Sequence, residues 1–240
     1  MDININKADD LAQLRSEFAS NVSHELKTPL TTIKGFADIL SSGVVISEED
    51  RQRFVTMISV EADRMINLIN DILRLSELQE AQTPSATSYT EVMSLAEEVA
   101  ESSRQAAENA GVTITATGDE CVLPIERGRL RILLQNLAEN AIKYNRTGGH
   151  VVISVTDRGQ SVALSVEDDG IGIPPEHQSR VFERFYRVDK SRSKKTGGTG
   201  LGLAIVKHIA ALYGGRISLE SAPEKGTRIT VEFDCAECEE

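Results

Sequence analysis

The chain of 240 residues has no tryptophan, and only 4% of it is aromatic. Its core must therefore be filled by Leu, Ile, Val, Ala and Met, a composition that leans towards helices. Three cysteines cannot make a disulfide framework and suit a reducing compartment. Cys235 and Cys238 have C-x-x-C spacing, but one pair supplies two zinc ligands, and no His lies within 25 residues of it. They read as free thiols near a chain end. The apolar runs are only a few residues long, far short of the ~20 that cross a bilayer. The opening residues have neither the basic start nor the apolar stretch of a secretory signal. Basic residues are also in short supply, 26 against 37 acidic, a net charge of −11. That balance argues against nucleic acid as a partner, because phosphate backbones are bound mainly by cationic faces.

What remains is enough for two domains. From Leu11 the apolar positions Leu11, Leu14, Phe18, Val22, Leu26, Leu30, Ile33, Phe36 and Leu40 step by three or four, as on one stripe of a helix of about thirty residues. Gly43 stops it. Ser47-Glu48-Glu49-Asp50 reads as an N-cap and an acidic first turn, and Phe54, Ile58, Ala62, Met65, Ile69, Ile72 and Leu75 form a second stripe. Two long helices joined by a short loop cannot shield both stripes alone, which predicts a homodimer with a four-helix bundle.

Residues 82–88, small, polar and containing Pro84, read as a linker between a hairpin at 11–81 and a second domain at 89–234, with a leading segment at 1–10 and a tail at 235–240. The second domain alternates its elements. Helices are expected at about 91–110, 127–144 and 201–213, and strands at 112–117, 151–156, 162–167, 216–221 and 228–233. This predicts an α+β sandwich with helices on one face of a mixed sheet. Nine of the 17 glycines fall between 170 and 226.

Four groups of residues carry chemistry. His24, in Ser23-His24-Glu25-Leu26-Lys27-Thr28-Pro29, falls off the apolar stripe and points to solvent as an available nucleophile. Thr28 shares its face, and Pro29 removes a helical hydrogen bond to the Glu25 carbonyl. Asn136, Asn140 and Lys143 share one helical face, followed by Tyr144; amide oxygens suit Mg²⁺ and ammonium suits phosphate. Asp168-Asp169-Gly170-Ile171-Gly172 ends a strand, where a carboxylate can accept from an exocyclic amine and glycines admit a planar ligand. Gly197-Gly198-Thr199-Gly200-Leu201-Gly202-Leu203 opens a helix, whose N-terminal amides attract phosphates. Between these loops Phe182 to Arg187, with Lys190, Arg192, Lys194 and Lys195, forms a basic segment that reads as a lid. Each group taken singly also has a plain reading, as a solvated helical face or an ordinary turn.

Together, and in this order, they resemble the cytoplasmic catalytic core of a two-component sensor histidine kinase, in which a phosphoacceptor hairpin precedes a GHKL-type ATPase domain. The likeness runs from about residue 11 to residue 233: Ser23 to Pro29 matches the H box, Asn136 to Tyr144 the N box, Asp168 to Gly172 the G1 box, Phe182 to Arg187 the F box and Gly198 to Leu203 the G2 box. Gly226-Thr227 is similar to the short motif before the last strand. The resemblance implies ATP and Mg²⁺ as cofactors, autophosphorylation of His24 with Glu25 as acid/base, and Thr28 orienting water when the partner is dephosphorylated. It implies Asn140 as the Mg²⁺ ligand, Asn136 and Lys143 near the phosphates, Tyr144 against the base and Asp168 on the adenine amine. Gly170 and Gly172 would admit the base and Arg187 would approach the γ-phosphate. Gly198, Gly200 and the amides of Leu201, Gly202 and Leu203 would line the phosphates. Asp169 departs from the pattern, where Asn is usual. The implied partner is a response-regulator receiver domain, whose aspartate takes the phosphoryl group; the implied setting is the cytosolic end of a longer, membrane-anchored bacterial sensor. Two rivals remain in view, an ATP-binding scaffold with an inert histidine and a GHKL ATPase that releases free phosphate.

Overall fold

A computed structural model describes residues 7–43, 46–80, 88–189 and 198–235. The chain divides into two compact units, one containing the N-terminal helices through Leu73 and the other built mainly from Arg74 onward. Most of the expected linker, the basic segment from Lys190 to Gly197, and Cys238 lie outside the described residues.

The first unit is a helical hairpin. Helix α1 spans Lys7–Ser41 and continues through Pro29, and α2 spans Glu48–Glu80. Gly43 takes a positive φ of 74°, which ends α1. The start of α2 is capped as expected: the Asp50 amide donates to Ser47 Oγ at 3.0 Å and Ser47 Oγ donates to the Asp50 carboxylate at 2.6 Å. Phe36 and Phe54 stack across the hairpin with ring centroids 5.1 Å apart. Two positions depart from the stripes. Leu30 is 56% exposed and Ile69 43% exposed, because two helices can cover only one flank of each other. The side chains of Leu11 and Leu14 lie outside what is described.

The second unit is the expected α+β sandwich. Its elements are β1 (Thr90–Glu91), α3 (Val92–Ala110), β2 (Thr113–Gly118), β3 (Val122–Leu123), α4 (Arg127–Lys143), β4 (His150–Asp157), β5 (Ser161–Asp168), α5 (Pro175–Gln178), α6 (Gly202–Leu212), β6 (Arg216–Ala222) and β7 (Gly226–Asp234). The main sheet runs β2-β4-β5-β7-β6, with β2 parallel to β4 and every other pair antiparallel. The core forms between one sheet face and the helices. Val151, Ile153 and Val155 of β4, Val162, Leu164 and Val166 of β5, and Ile229, Val231 and Phe233 of β7 are all buried. Leu95 and Val99 of α3, Leu130, Leu133, Leu134 and Leu137 of α4, and Ile205, Val206 and Ile209 of α6 are buried opposite them. Helix α3 stops at Gly111, whose φ of 69° is a left-handed C-cap. The pairing of β1 with β3 and the single turn of α5 are additions to the expected elements. Among the described residues no helix is long and apolar enough to cross a membrane.

Candidate nucleotide and phosphoacceptor sites

In the hairpin, His24 and Thr28 are exposed, as their positions off the apolar stripe require. Thr28 Oγ1 donates back to the His24 carbonyl at 3.3 Å, which fixes its side chain along the helix. Glu25 is turned towards the other helix. Arg64, only 9% exposed, donates from Nη2 to Glu25 Oε2 at 3.3 Å and approaches Glu61 at 3.8 Å. The exposed imidazole therefore has as its chain neighbour a carboxylate held by a buried guanidinium.

In the second unit, the glycine loops converge on α4. Asn136 is 8% exposed and donates from Nδ2 to the Ile132 carbonyl at 2.8 Å, which leaves its oxygen facing outward from the helix. A Cβ on Gly202 would stand 2.7 Å from that oxygen and 3.6 Å from Asn140 Nδ2. Gly202, Asn136 and Asn140 are thus in close apposition, and the start of α6 is packed against the amide face of α4. Leu201 just before it is fully buried. At the end of α4, Lys143 Nζ lies 5.2 Å from the centre of the Tyr144 ring.

The turn after β5 closes onto the same place. The Ile171 amide donates to the Tyr144 carbonyl at 3.1 Å, and a Cβ on Gly170 would collide with that carbonyl. Gly172 has a φ of 66°, and a Cβ there would overlap the Ala222 carbonyl oxygen. Only glycine fits either position without displacing backbone. Asp168 Oδ1 accepts from the Gly170 amide at 2.9 Å. Burial pushes the Asp168 carboxyl up to about 6, against the amides of Gly170 and Thr227, which favour its ionised form; Asp169 and Glu167 add to the rise.

Asp169, the departure from the usual pattern, is well provided for. It accepts from the His150 amide at 2.7 Å, and its other oxygen lies 3.4 Å from His150 Nδ1 and 4.0 Å from Arg146. Burial works against its charge, but the His150 amide and ring and then Arg146 outweigh it and hold the carboxyl below its ordinary range.

The described part of the basic segment docks on the glycine loop. The Phe185 amide donates to the Gly200 carbonyl at 2.8 Å, Phe185 itself has a φ of 62°, and a Cβ on Gly200 would stand 2.9 Å from the Phe185 backbone. Next to it, the Tyr186 hydroxyl and His177 Nδ1 are 2.6 Å apart, and Arg180 stacks 4.4 Å from the Tyr186 ring centre. Arg187, half-buried, follows directly.

The expected residues thus fall into two groups, His24, Glu25 and Thr28 on the hairpin and the N-, G1- and F-box residues with Gly200, Leu201, Gly202 and Leu203 on the sandwich, while Gly198 clusters with the first unit. Arg64, His177, Gln178 and Ser221 escaped the sequence reading. Each makes its contact across a long separation or from an element too short to carry a pattern, and only Gly226-Thr227, beside Ser221, gave a sequence signal.

Comparison with known proteins agrees with this layout. Residues 14–81 match the His Kinase A (phospho-acceptor) domain family, and residues 125–237 match the family described as Histidine kinase-, DNA gyrase B-, and HSP90-like ATPase. The chain belongs to the two-component sensor histidine kinases. This kinase core is 36% identical over 229 residues to Sensor histidine kinase WalK of Bacillus subtilis, an alignment covering 94% of the chain and 38% of WalK. It is 40% identical over 223 residues to Sensor-like histidine kinase SenX3 of Mycolicibacterium smegmatis, covering 91% of the chain and 57% of SenX3. The kinase core therefore spans well under two thirds of these relatives' length. Among solved structures, full-length ShkA in complex with AMPPNP matches with a TM-score of 0.64 and 29% identity, over 92% of this chain and 46% of ShkA.

Proposed function

We propose that the chain transfers the γ-phosphoryl group of ATP to His24, passes it to an aspartate on a response-regulator receiver domain, and also dephosphorylates that regulator. The observation that carries this reading is the exposed His24 imidazole, followed in the chain by a Glu25 carboxylate that Arg64 holds towards the second helix. An exposed nitrogen can attack, and Glu25, once swung round the helix from Arg64, would take the ring proton as the new nitrogen–phosphorus bond forms. Thr28, on the same exposed face, is the candidate for orienting the water that attacks the phosphorylated receiver.

The second unit has the features of a triphosphate cradle. A Cβ on Gly202 would crowd Asn136 Oδ1 at 2.7 Å, and amides at the start of α6 offer donors with the positive end of the helix. Leu201, Gly202 and Leu203 would present those amides, with Gly198 and Gly200 giving the backbone access. Asn140 would supply an amide oxygen to Mg²⁺, with Asn136 and Lys143 beside the phosphates. Arg187 would meet the terminal phosphate, Tyr144 would lie against the base, and Asp168 would accept its amine, with Gly170 and Gly172 leaving space. Mg²⁺–ATP would supply the phosphoryl group, and positioning and charge neutralisation would supply most of the rate. That the related ShkA was solved with AMPPNP supports the same ligand here.

The uncovered side chains Val55, Ile66, Ile69 and Leu73 on one flank of α2, with Leu30 of α1, fit a second copy of the hairpin, giving a homodimeric four-helix bundle. The surface around His24 would then receive the receiver domain. The parent protein would be membrane-anchored through segments outside this chain, with this core in the cytoplasm.

Incubation with γ-labelled ATP and Mg²⁺ tests the reaction. The expected result is an acid-labile, base-stable label on the chain that is absent from His24→Gln, while His24→Gln still binds ATP. No label on the wild-type chain, or release of free phosphate alone, overturns the proposal.

A further inference from the structure

Phe185 has a left-handed backbone, with a φ of 62°, although it carries a bulky side chain. Such a conformation costs about 1–3 kcal/mol and persists only where the surroundings hold it. Two contacts do so. On one side the Phe185 amide donates to the Gly200 carbonyl at 2.8 Å. On the other, the Tyr186 hydroxyl lies 2.6 Å from His177 Nδ1. A hydroxyl can donate to a bare ring nitrogen or accept from a protonated one, so this contact holds in either tautomer. Arg180 lies 4.4 Å from the centre of the Tyr186 ring and is itself pinned by the Glu183 carboxylate, which accepts from Nε at 3.3 Å and Nη2 at 3.2 Å.

His177 belongs to α5, a single turn that cannot hold its place by helical hydrogen bonds alone. The next residue anchors it. Gln178 Nε2 donates to the carbonyls of Ile173 and of Ser221 on β6, each at 2.9 Å, and so ties α5 to the main sheet. On the far side of α5 the amides of Arg180 and Val181 donate to the His177 carbonyl at 2.9 and 3.1 Å, and Val181 is buried. A line of contacts therefore runs from the sheet through Gln178, His177 and Tyr186 to Arg187. Without the Tyr186 hydroxyl contact the Phe185 φ is free to relax, and that rotation carries Arg187, two residues on, with it.

We infer that His177 is a positioning residue for the phosphoryl transfer: through the Tyr186 hydroxyl it holds the strained turn at Phe185, and so sets where the Arg187 guanidinium stands. The inference rests on the role proposed above for Arg187, at the terminal phosphate. In this account neither His177 nor Tyr186 touches ATP. A shift of about 1 Å in a group that must be placed for reaction costs up to about 100-fold in rate. A cation that meets charge developed in the transition state changes the maximal rate more than the affinity for ATP.

The test is the rate of His24 labelling by γ-labelled ATP across ATP concentrations, on the 240-residue chain. Tyr186→Phe removes one oxygen atom and leaves the ring beside Arg180. It should lower the maximal rate about tenfold while half-saturating ATP shifts by less than about twofold. His177→Phe should show the same loss, and the double variant should be no slower than either single one, because both remove one contact. His177→Asn offers an amide near the position of Nδ1 and should recover most of the rate. Additive losses in the double variant would mean that the two residues act separately, and the inference falls. It falls equally if Tyr186→Phe labels at the wild-type maximal rate while Arg187→Gln is slow. Should circular dichroism show His177→Phe unfolded, the comparison of Tyr186→Phe with Arg187→Gln decides. A wild-type rate in Arg187→Gln overturns the role given to Arg187 itself, a distinct result.

Discussion

Arg64 on one hairpin helix holds Glu25 on the other, 3.3 Å from nitrogen to oxygen, one residue away from the solvent-facing His24. The pair joins the stability of the hairpin to the orientation of the carboxylate. Arg64 is buried and Glu25 partly so, hence removing the guanidinium takes a charged partner from a half-covered carboxylate. Arg64→Ala should cost about 1–3 kcal/mol of hairpin stability. It should also slow His24 labelling about tenfold while ATP affinity is unchanged. Thermal melts and labelling time courses check both, and undiminished labelling would separate Arg64 from Glu25's role.

Thr28 gives a prediction of opposite selectivity. Its hydroxyl is exposed and its one described bond is a local one to the His24 carbonyl, so Thr28→Ala leaves the helix intact. Autophosphorylation should stay within about twofold, while loss of phosphate from a phosphorylated receiver slows at least about tenfold. Receiver dephosphorylation at the wild-type rate would take Thr28 out of that role.

Asp168 makes the second unit sensitive to pH in two opposite ways. Burial raises its carboxyl from 3.8 to about 6. An ionised carboxylate is the stronger acceptor for an amine, so ATP affinity should fall as pH drops through about 6, and Asp168→Asn should flatten that profile. The unliganded protein behaves inversely. A carboxyl that holds its proton more tightly when folded contributes stability below 3.8 that is lost as pH rises through about 6. Melting temperatures of wild type relative to Asp168→Asn should therefore decline across that window. A parallel pair of curves would contradict the assignment.

Gly202 is a point of close approach between α4 and α6, the two helices proposed to frame the phosphates. A Cβ 2.7 Å from Asn136 Oδ1 can be relieved only by moving the Asn136 amide or the start of α6. Gly202→Ala should weaken ATP binding at least about tenfold with a stability loss under about 1.5 kcal/mol. Calorimetry and denaturant melts distinguish this from general unfolding, which would lower both together.

Much of this was readable from spacing. Strands of alternating character from Val151 and Val162, and the helical stripes around Phe36 and Phe54, carry periods that single residues cannot fake, and they reappear in place. Ser47 and Asp50 cap α2 as their types require. The site motifs were readable because glycines, amides and carboxylates sat in ordered groups. What escaped has a common cause. Leu30 and Ile69 have the spacing of a seam, yet two helices leave an outer flank, so periodicity marks an apolar face without saying what covers it. Arg64 meets Glu25 across 39 positions, and no local pattern reports that. Strands β1 and β3, two residues each, are shorter than one period of alternation. Ser221 looks like any polar residue on a strand until Ile173, Gly226 and Thr227 are seen around it.

The partnership of Asp168 with Thr227 has a consequence for how such a domain can diversify. The chain leaves the sheet at Asp168 and rejoins it at Thr227 on the same rung of the ladder. Everything between, three of the four nucleotide motifs with α6 and β6, is one long excursion with coincident ends. Lengthening or shortening its exposed stretches leaves the register of β4, β5 and β7 untouched, since no rung beyond that one has to shift. The mouth of the proposed pocket can thus be retailored while the edge built from the rung itself stays where it is.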